Sequence, residues 1–297
     1  MCSSDLAEVH YVHVINPAPY ASVMEGMYVS SASVEASAER IEDHVREAFE
    51  KTLRRYALTH LQALGHFVHG DPAREIVILA DELGADYIVL TTHGRTGFDH
   101  LVFGSTCEKA VRLSHMPVIT LKHFDSKLGV EKSPIAFKRV LYPLDFSEFS
   151  KKTLARAPEL CRRFDGTLVL AQAVDTRLEY PMLEPGVGAH DFMHRERDAQ
   201  VYLDEVAAGI EGVFTEVRVV AGNPYKALVK VMQEEDIDIV VMTTHGYRGL
   251  PHVLLGSNAE RLARLAPCPV MTIHPDEEVK KKQNLRKLGR ASWRERV

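Results

Sequence analysis

Two short constellations in this sequence have the residue types and spacing to hold an anion. The first is Thr91, Thr92, His93 and Gly94, followed after a nine-residue interval by Gly104, Ser105 and Thr106. The second is Thr243, Thr244, His245 and Gly246, followed at the same interval by Gly256, Ser257 and Asn258. Glycine lets backbone N–H groups approach a phosphate without a Cβ in the way. The Gly-Ser pair stands where a helix begins, and there unpaired N–H groups and the helix dipole favour negative charge. A third feature, Pro143-Leu144-Asp145, places a carboxylate just past a short apolar run. A carboxylate ending a buried strand needs a partner or a ligand.

Plainer readings compete with each of these. A Gly-Ser pair at a helix start is often only a cap. One His per loop, His93 or His245, more often makes a structural hydrogen bond than ligates a metal, and no acidic or His partner sits at ligand spacing. Arg95 and Arg248 suit phosphate contact and solvated loop charge equally. His10 and His13 differ by three, which on a strand turns them to opposite faces. Cys107 and Cys268 read as small buried apolar residues.

The elements that carry these residues occur twice. DYIVLTTHGRTGFDHLVFGSTCEKAVRLSHMPVITL begins at Asp86, and DIVVMTTHGYRGLPHVLLGSNAERLARLAPCPVMTI begins at Asp238. The offset of 152 residues holds without a gap and also relates Gly70-Asp71-Pro72 to Gly222-Asn223-Pro224. A period of this length means a duplicated domain rather than a solenoid. In the second half, strands are expected at Arg139–Asp145, Thr167–Val174, Thr215–Gly222, from Asp238 and from Pro269. Helices are expected after Ser147 as N-cap, over His190–Gly209, Pro224–Glu235 and Leu255–Leu265. Continuous Val/Ile/Leu runs between amphipathic helices indicate a parallel sheet covered on both faces. The expected fold is therefore α/β, two repeated open parallel-sheet domains of three layers.

The first half starts late. Ala7–Ile15 matches the second strand of the other repeat, and nothing upstream supplies a first strand and helix. The expected domains are residues 1–124, lacking that strand and helix, and residues 137–276, complete, with a disordered tail at 277–297. The natural N-terminus is expected to be absent from this sequence. MCSSDL and GRASWRERV continue no domain pattern.

Bulk composition narrows the classes. With 297 residues, 45% hydrophobic and 26% charged, the chain is that of an ordinary globular protein of about two domains. A net charge of −5 gives no basic face for nucleic acid, and no apolar run is long enough for a membrane span. Cys2, Cys107, Cys161 and Cys268 are scattered without ligand spacing, as expected of a reducing cytoplasm.

The duplicated loop, the THGRTG phrase, the LLGS segment and the APCPV segment resemble the universal stress protein family, in its ATP-binding branch. The family pattern is Gly-x2-Gly-x9-Gly-Ser/Thr. Both halves keep the second Gly, the interval and Gly-Ser, and both place Thr (Thr91 and Thr243) where the first Gly belongs. The resemblance implies a Rossmann-like fold of the adenine nucleotide alpha hydrolase type. Its ligand would be ATP, or AMP or ADP, with Mg²⁺ as an optional companion. It further implies that Asp145 serves the adenine or ribose side, with Pro143 and Leu144 beside it. Ala173 and Met242 would line the base pocket. Thr243, His245, Gly246, Arg248, Gly256, Ser257 and Asn258 would hold the phosphates. The counterparts in the first half are Val14, Leu90, Thr91, Gly94, Gly104, Ser105 and Thr106, without an Asp, so weaker or absent binding is expected there.

The leading expectation is thus a cytoplasmic regulatory nucleotide-binding module. The loop has no Walker lysine and no paired carboxylates to hold Mg²⁺, so catalysis beyond slow ATP hydrolysis is not expected. Family members commonly pair through the last strand, which implies a homodimer, or an intramolecular pseudo-dimer of Val118–Lys122 with Val270–His274. One alternative is an adenine-nucleotide alpha hydrolase enzyme, against which the glycine-free PLDFSEFS counts. The other is a stress protein whose loop is a structural relic.

Overall fold

The computed structural model describes residues 8–16, 31–57, 62–91, 104–121, 136–175, 187–244 and 257–274. Its strands are β1 (Glu8–Ile15), β2 (Gln62–His69), β3 (Ile88–Thr91), β4 (Val118–Leu121), β5 (Arg139–Pro143), β6 (Thr167–Val174), β7 (Thr215–Ala221), β8 (Ile239–Thr243) and β9 (Val270–Ile273). Its helices are α1 (Ser31–Ala57), α2 (Pro72–Leu83), α3 (Ser105–Leu113), α4 (Glu148–Thr153), α5 (Arg156–Phe164), α6 (Val187–Ala208), α7 (Pro224–Glu234) and α8 (Ser257–Leu265). Among the described residues no helix is long and apolar enough to cross a membrane. The fold is α/β with parallel strands dominating, in line with the sequence expectation. The chain divides into two compact units, Met1–Leu79 and Ala80–Val297, the division falling within α2.

The smaller unit holds β1 and β2, paired in parallel from Glu8↔Gln62 to Ile15↔His69. His10 Nδ1 lies 2.8 Å from His66 Nε2, whereas His13 stacks on Phe67 at a centroid distance of 5.4 Å. The two histidines therefore use opposite faces. Helix α1 lies on the His13 face: Arg46 stands 4.3 Å over the Phe67 ring, and a Cβ at Gly65 would overlap Leu53. Any larger residue at that point would have to displace the Leu53 side chain, so glycine lets the helix pack closely on the strand.

The larger unit is built on a seven-stranded sheet in the order β3-β4-β9-β8-β5-β6-β7. Residues of one parity, Val140, Tyr142, Leu168, Leu170, Ile239 and Val241, pack with Ala157 and Cys161 of α5 and Leu203 of α6. Leu141, Val169 and Val240, of the other parity, are equally buried. Runs buried on both faces explain why these strands read as unbroken apolar sequence rather than alternation. The helix expected after Ser147 is two helices. Pro158 has no N–H to give the carbonyl of Leu154, and the break between α4 and α5 falls at that turn.

Strand β4 meets β9 antiparallel, with Val118↔Thr272, Ile119↔Met271 and Thr120↔Val270. Under the 152-residue offset Ile119 pairs with its own repeat equivalent, and the flanking pairs exchange. The hydrogen bonds follow suit: Thr120 Oγ1 donates to Val270 O at 3.3 Å and Thr272 Oγ1 to Val118 O at 3.2 Å. A local pseudo-twofold thus runs through the seam and joins strands of the two repeats within one chain.

The opposite end of the second half is clamped by charge. Arg139, which opens β5, donates to Glu216 on β7 at 3.3 Å and to Glu235 beyond α7 at 2.7 Å. Arg218 donates to the same two carboxylates at 2.5 and 2.6 Å. The hydrogen bond from Arg139 is the main cause that holds Glu216 below the usual carboxylate range; partial burial opposes it, and the nearby arginine charges reinforce it. A carboxylate whose pKa falls on folding stabilises the native state above its unfolded pKa and loses that contribution as pH drops through the native value.

Two outcomes are expected. The stability gap between wild type and Arg139→Met should be full above the ordinary glutamate pKa of about 4.3 and narrow as pH falls below it, read from urea midpoints across pH 3 to 7. At the seam, Met271→Ala should cost about 2–5 kcal/mol in equilibrium urea unfolding, because Met271 is buried opposite Ile119.

Candidate functional site

The carboxyl ends of β8, β5 and β6 lie side by side, because these three parallel strands are neighbours in that order. From β5 the chain goes outward through β6 to β7, then crosses back to β8 on the other side of β5 and on to β9. The connections therefore leave in opposite directions on either side of β5–β8, which opens a crevice at the strand ends. Met242 and Thr243 end β8, Pro143 ends β5 with Leu144 and Asp145 directly after it, and Ala173 sits one residue from the end of β6. Six of the residues picked from sequence are thus brought to one edge of one sheet. Met242, Thr243 and Leu144 are buried, while Pro143, Asp145 and Ala173 are half-buried.

Local sequence explains how Asp145 is held. Leu144 N donates to Ala171 O at 2.8 Å, which carries the β5–β6 ladder one residue past the strand. The chain then turns into α4, whose N-cap is Ser147, with its Oγ accepting from Ser150 N at 3.1 Å. Asp145 Oδ1 accepts from Ser147 N at 3.0 Å, from Ser150 Oγ at 2.7 Å, and from Ser147 Oγ in a short contact. None of these three bonds uses Oδ2. Below them the Tyr142 hydroxyl donates to Ser150 O at 2.7 Å, and burial pushes its pKa up, so it stays a neutral donor. The carboxylate is oriented by a scaffold of two serines and a tyrosine on one short stretch of chain. From the sequence, Ser147 is expected only as a cap and Ser150 has no expected role. The signal was present as the spacing Asp-x-Ser-x-x-Ser.

On the neighbouring strands, Thr244 N donates to Ile273 O at 3.0 Å and fixes the exit of β8. Gly222, with φ +119°, ends β7 and donates its N–H to Val174 O at 2.9 Å. Gly70, with φ +144°, does the same to Ile15 O at 2.9 Å in the smaller unit. Both positions need the backbone freedom of glycine. Asn223 then caps α7, accepting from Lys226 N.

Of the phosphate-side residues, His245, Gly246, Arg248 and Gly256 lie outside the described residues, as do Gly94, His93 and Arg95 in the first half. Ser257 begins α8 and Asn258 follows it, exposed in the first turn. In the first half Gly104 is the N-cap of α3 with extended backbone, φ −58° and ψ 139°, and no side-chain cap bond. Ser105 is exposed and Thr106 half-buried in the first turn of α3. Leu90 and Thr91 end β3 in the larger unit, and Val14 lies on β1 in the smaller one. Among the described residues no group of three or more His, Cys, Asp or Glu is placed to hold a metal ion. Cys107, Cys161 and Cys268 are buried free thiols; burial pushes the first up to about 12 and the second to about 11.

The sequence profile of the universal stress protein family matches residues 3–122 and again residues 136–274. The chain belongs to the universal stress protein family. Universal stress protein MJ0531 of Methanocaldococcus jannaschii is 28% identical over 160 residues, 52% of this chain and 93% of its own length. A universal stress protein of Archaeoglobus fulgidus matches at a TM-score of 0.63 and 22% identity, over 90% of this chain and 88% of its own. Another universal stress protein was solved in complex with cAMP; it is 24% identical, with a TM-score of 0.34, over 47% of this chain and 98% of its own. The two profile matches fall on the two sequence repeats, so each repeat is a copy of the family's domain.

The serine scaffold generates a stability prediction. Ser147→Ala should lower stability by about 1 kcal/mol, whereas Ser147→Thr, which keeps the hydroxyl, should lie near wild type in chemical denaturation.

Proposed function

We propose that this universal stress protein is a regulatory module that binds an adenine nucleotide in its second half, at the carboxyl ends of β8, β5 and β6. The observation that supports this reading best is the oriented carboxylate of Asp145 at the crevice beside β8, flanked by Ala173 and Met242. A carboxylate with one oxygen already fixed can accept from a ribose hydroxyl or an adenine amine at little further entropic cost. The apolar ends of β6 and β8 suit a base ring, and the Gly-bearing loop after β8 with the N-terminus of α8 suits its phosphates. His245, Gly246, Arg248, Gly256, Ser257 and Asn258 are the phosphate-side group in this proposal, and ATP is the favoured ligand over ADP or AMP.

The first half has the α3 N-terminus with Gly104, Ser105 and Thr106 but, among the described residues, no counterpart of Asp145, so the proposal gives it the lower affinity of the two. Binding would act by preferential stabilisation of one conformation. The reading places the protein in the cytoplasm, where buried free thiols such as Cys107, Cys161 and Cys268 persist. The β4–β9 seam supports a pseudo-dimer within the chain, in place of a homodimer through the same strands.

Isothermal titration of the full chain with ATP, ADP, AMP and cAMP tests the proposal. One nucleotide per chain is expected, with Asp145→Ala weakening it by about tenfold or more. Saturation at a hundred times Kd should add about 2.7 kcal/mol to stability, read as a rise in Tm. Two sites of equal affinity, or no heat and no thermal shift with any of the four, would sink it.

A further inference from the structure

Strands β1 and β2 bring two imidazoles into direct contact. In their parallel register His10 stands opposite Leu64 and His66 opposite Val12, so the pair lies diagonally across the face turned away from α1. His10 Nδ1 is 2.8 Å from His66 Nε2, with the ring centroids 5.0 Å apart. On the far side of the His10 ring, Nε2 lies 3.4 Å from Glu8 Oε1. A carboxylate only accepts, so Glu8 holds the ring hydrogen of His10 on Nε2 and leaves Nδ1 as a lone pair. Burial, and after it the neighbouring His10, lower the pKa of His66 and keep that ring neutral near pH 7. The second half has no such pair. Ile15↔His69 in the smaller unit corresponds to Val174↔Ala221 in the larger one, which makes Val169 and Arg218 the equivalents of His10 and His66. Val169 is fully buried, and Arg218 is tied to Glu216 and Glu235. A structural role common to both repeats therefore does not account for the two histidines.

We propose that His10 and His66 are two ligands of a divalent transition-metal ion, Cu²⁺ or Ni²⁺ in preference to Zn²⁺, with Glu8 positioning the His10 ring. Imidazole nitrogen is a good donor to all three ions. An ion about 2.0–2.1 Å from each nitrogen needs them roughly 2.9 Å apart at a right angle and roughly 3.3 Å apart in a tetrahedral site. The observed 2.8 Å suits two neighbouring corners of a square-planar or octahedral site, the geometry of Cu²⁺ and Ni²⁺. Without the ion, His66 Nε2 donates its hydrogen to His10 Nδ1. Entry of the ion turns each ring slightly and moves that hydrogen to His66 Nδ1, so the neutral pair releases no proton. Among the described residues no group of three His, Cys, Asp or Glu forms a complete site, so water fills the remaining positions. This inference does not depend on the nucleotide reading.

The test titrates metal-free, full-length protein with CuCl2 and separately with NiCl2, read by calorimetry and by electron paramagnetic resonance of the Cu²⁺ form. One equivalent per chain is expected, with hyperfine structure from two nitrogens. His10→Val and His66→Arg, which install the residues of the second half, should each lower the affinity at least about tenfold. Glu8→Gln should lower it by a smaller factor and leave the two-nitrogen signature in place, as a positioning role requires. His13→Ala, on the opposite face, should bind as wild type. A readout that needs no variant covers the case in which these chains misfold: sub-stoichiometric Cu²⁺ should broaden the ring proton signals of His10 and His66 before those of the other histidines. No binding, unchanged affinity in both ligand variants, an equal loss in His13→Ala, or broadening that begins at other histidines would mean an adventitious ion only and overturns the proposal.

Discussion

A strand in the interior of a sheet must satisfy its N–H and C=O groups along both edges, and in the second half that demand centres on Arg139–Pro143. This short segment pairs with β6 on one side and β8 on the other. Its side chains fill the core on both faces, with Val140, Leu141 and Tyr142 fully buried. Its first residue anchors the charge network with Glu216 and Glu235, and the residue two past its end is Asp145. The order of the other strands, the position of the crevice and the placement of the carboxylate all follow from having β5 in the middle.

The first half is the control for this statement. It repeats the later strands and the loop but has no described strand in the place of β5. Its β1 and β2 pair with each other, while β3 and β4 belong to a different sheet. What β4 gains instead is β9. Antiparallel pairing about Ile119 and Met271 lets two copies of one strand type satisfy each other, and each threonine bonds the carbonyl of the other repeat. The boundary between compact units thus does not coincide with the boundary between repeats: the first repeat is divided, and its last two strands are held by the second.

The two ends of the second-half sheet serve opposite purposes. At the amino ends of the strands two arginines and two glutamates neutralise one another in a closed set of hydrogen bonds, leaving little charge for a ligand. At the carboxyl ends one carboxylate is oriented by two serine hydroxyls and a backbone N–H. That contrast agrees with the general placement of ligands in open α/β sheets and is a matter of hydrogen-bond geometry rather than of residue content. Arg139 and Asp145 are six positions apart in sequence and belong to different ends of the domain.

Periodicity, the 152-residue offset and the turn residues were enough to read the duplication and the α/β alternation, because each is a local pattern written along the chain. That Pro143–Asp145, Ala173 and Met242–Thr243 lie at strand ends was legible for a related reason: strand ends can be marked from apolar runs. Three things were decided only by the tertiary structure. The bond of Ser150 to Asp145 depends on how tightly the chain turns into α4. The clamp of Arg139 with Glu216 and Glu235 joins residues far apart in sequence, which periodicity cannot connect. What His10 meets depends on the register of β1 against β2: its repeat equivalent Val169 is buried in the seven-stranded sheet, whereas His10 faces His66 across a two-stranded one. Sequence fixes what a strand can bury; its neighbours in space determine whether it does.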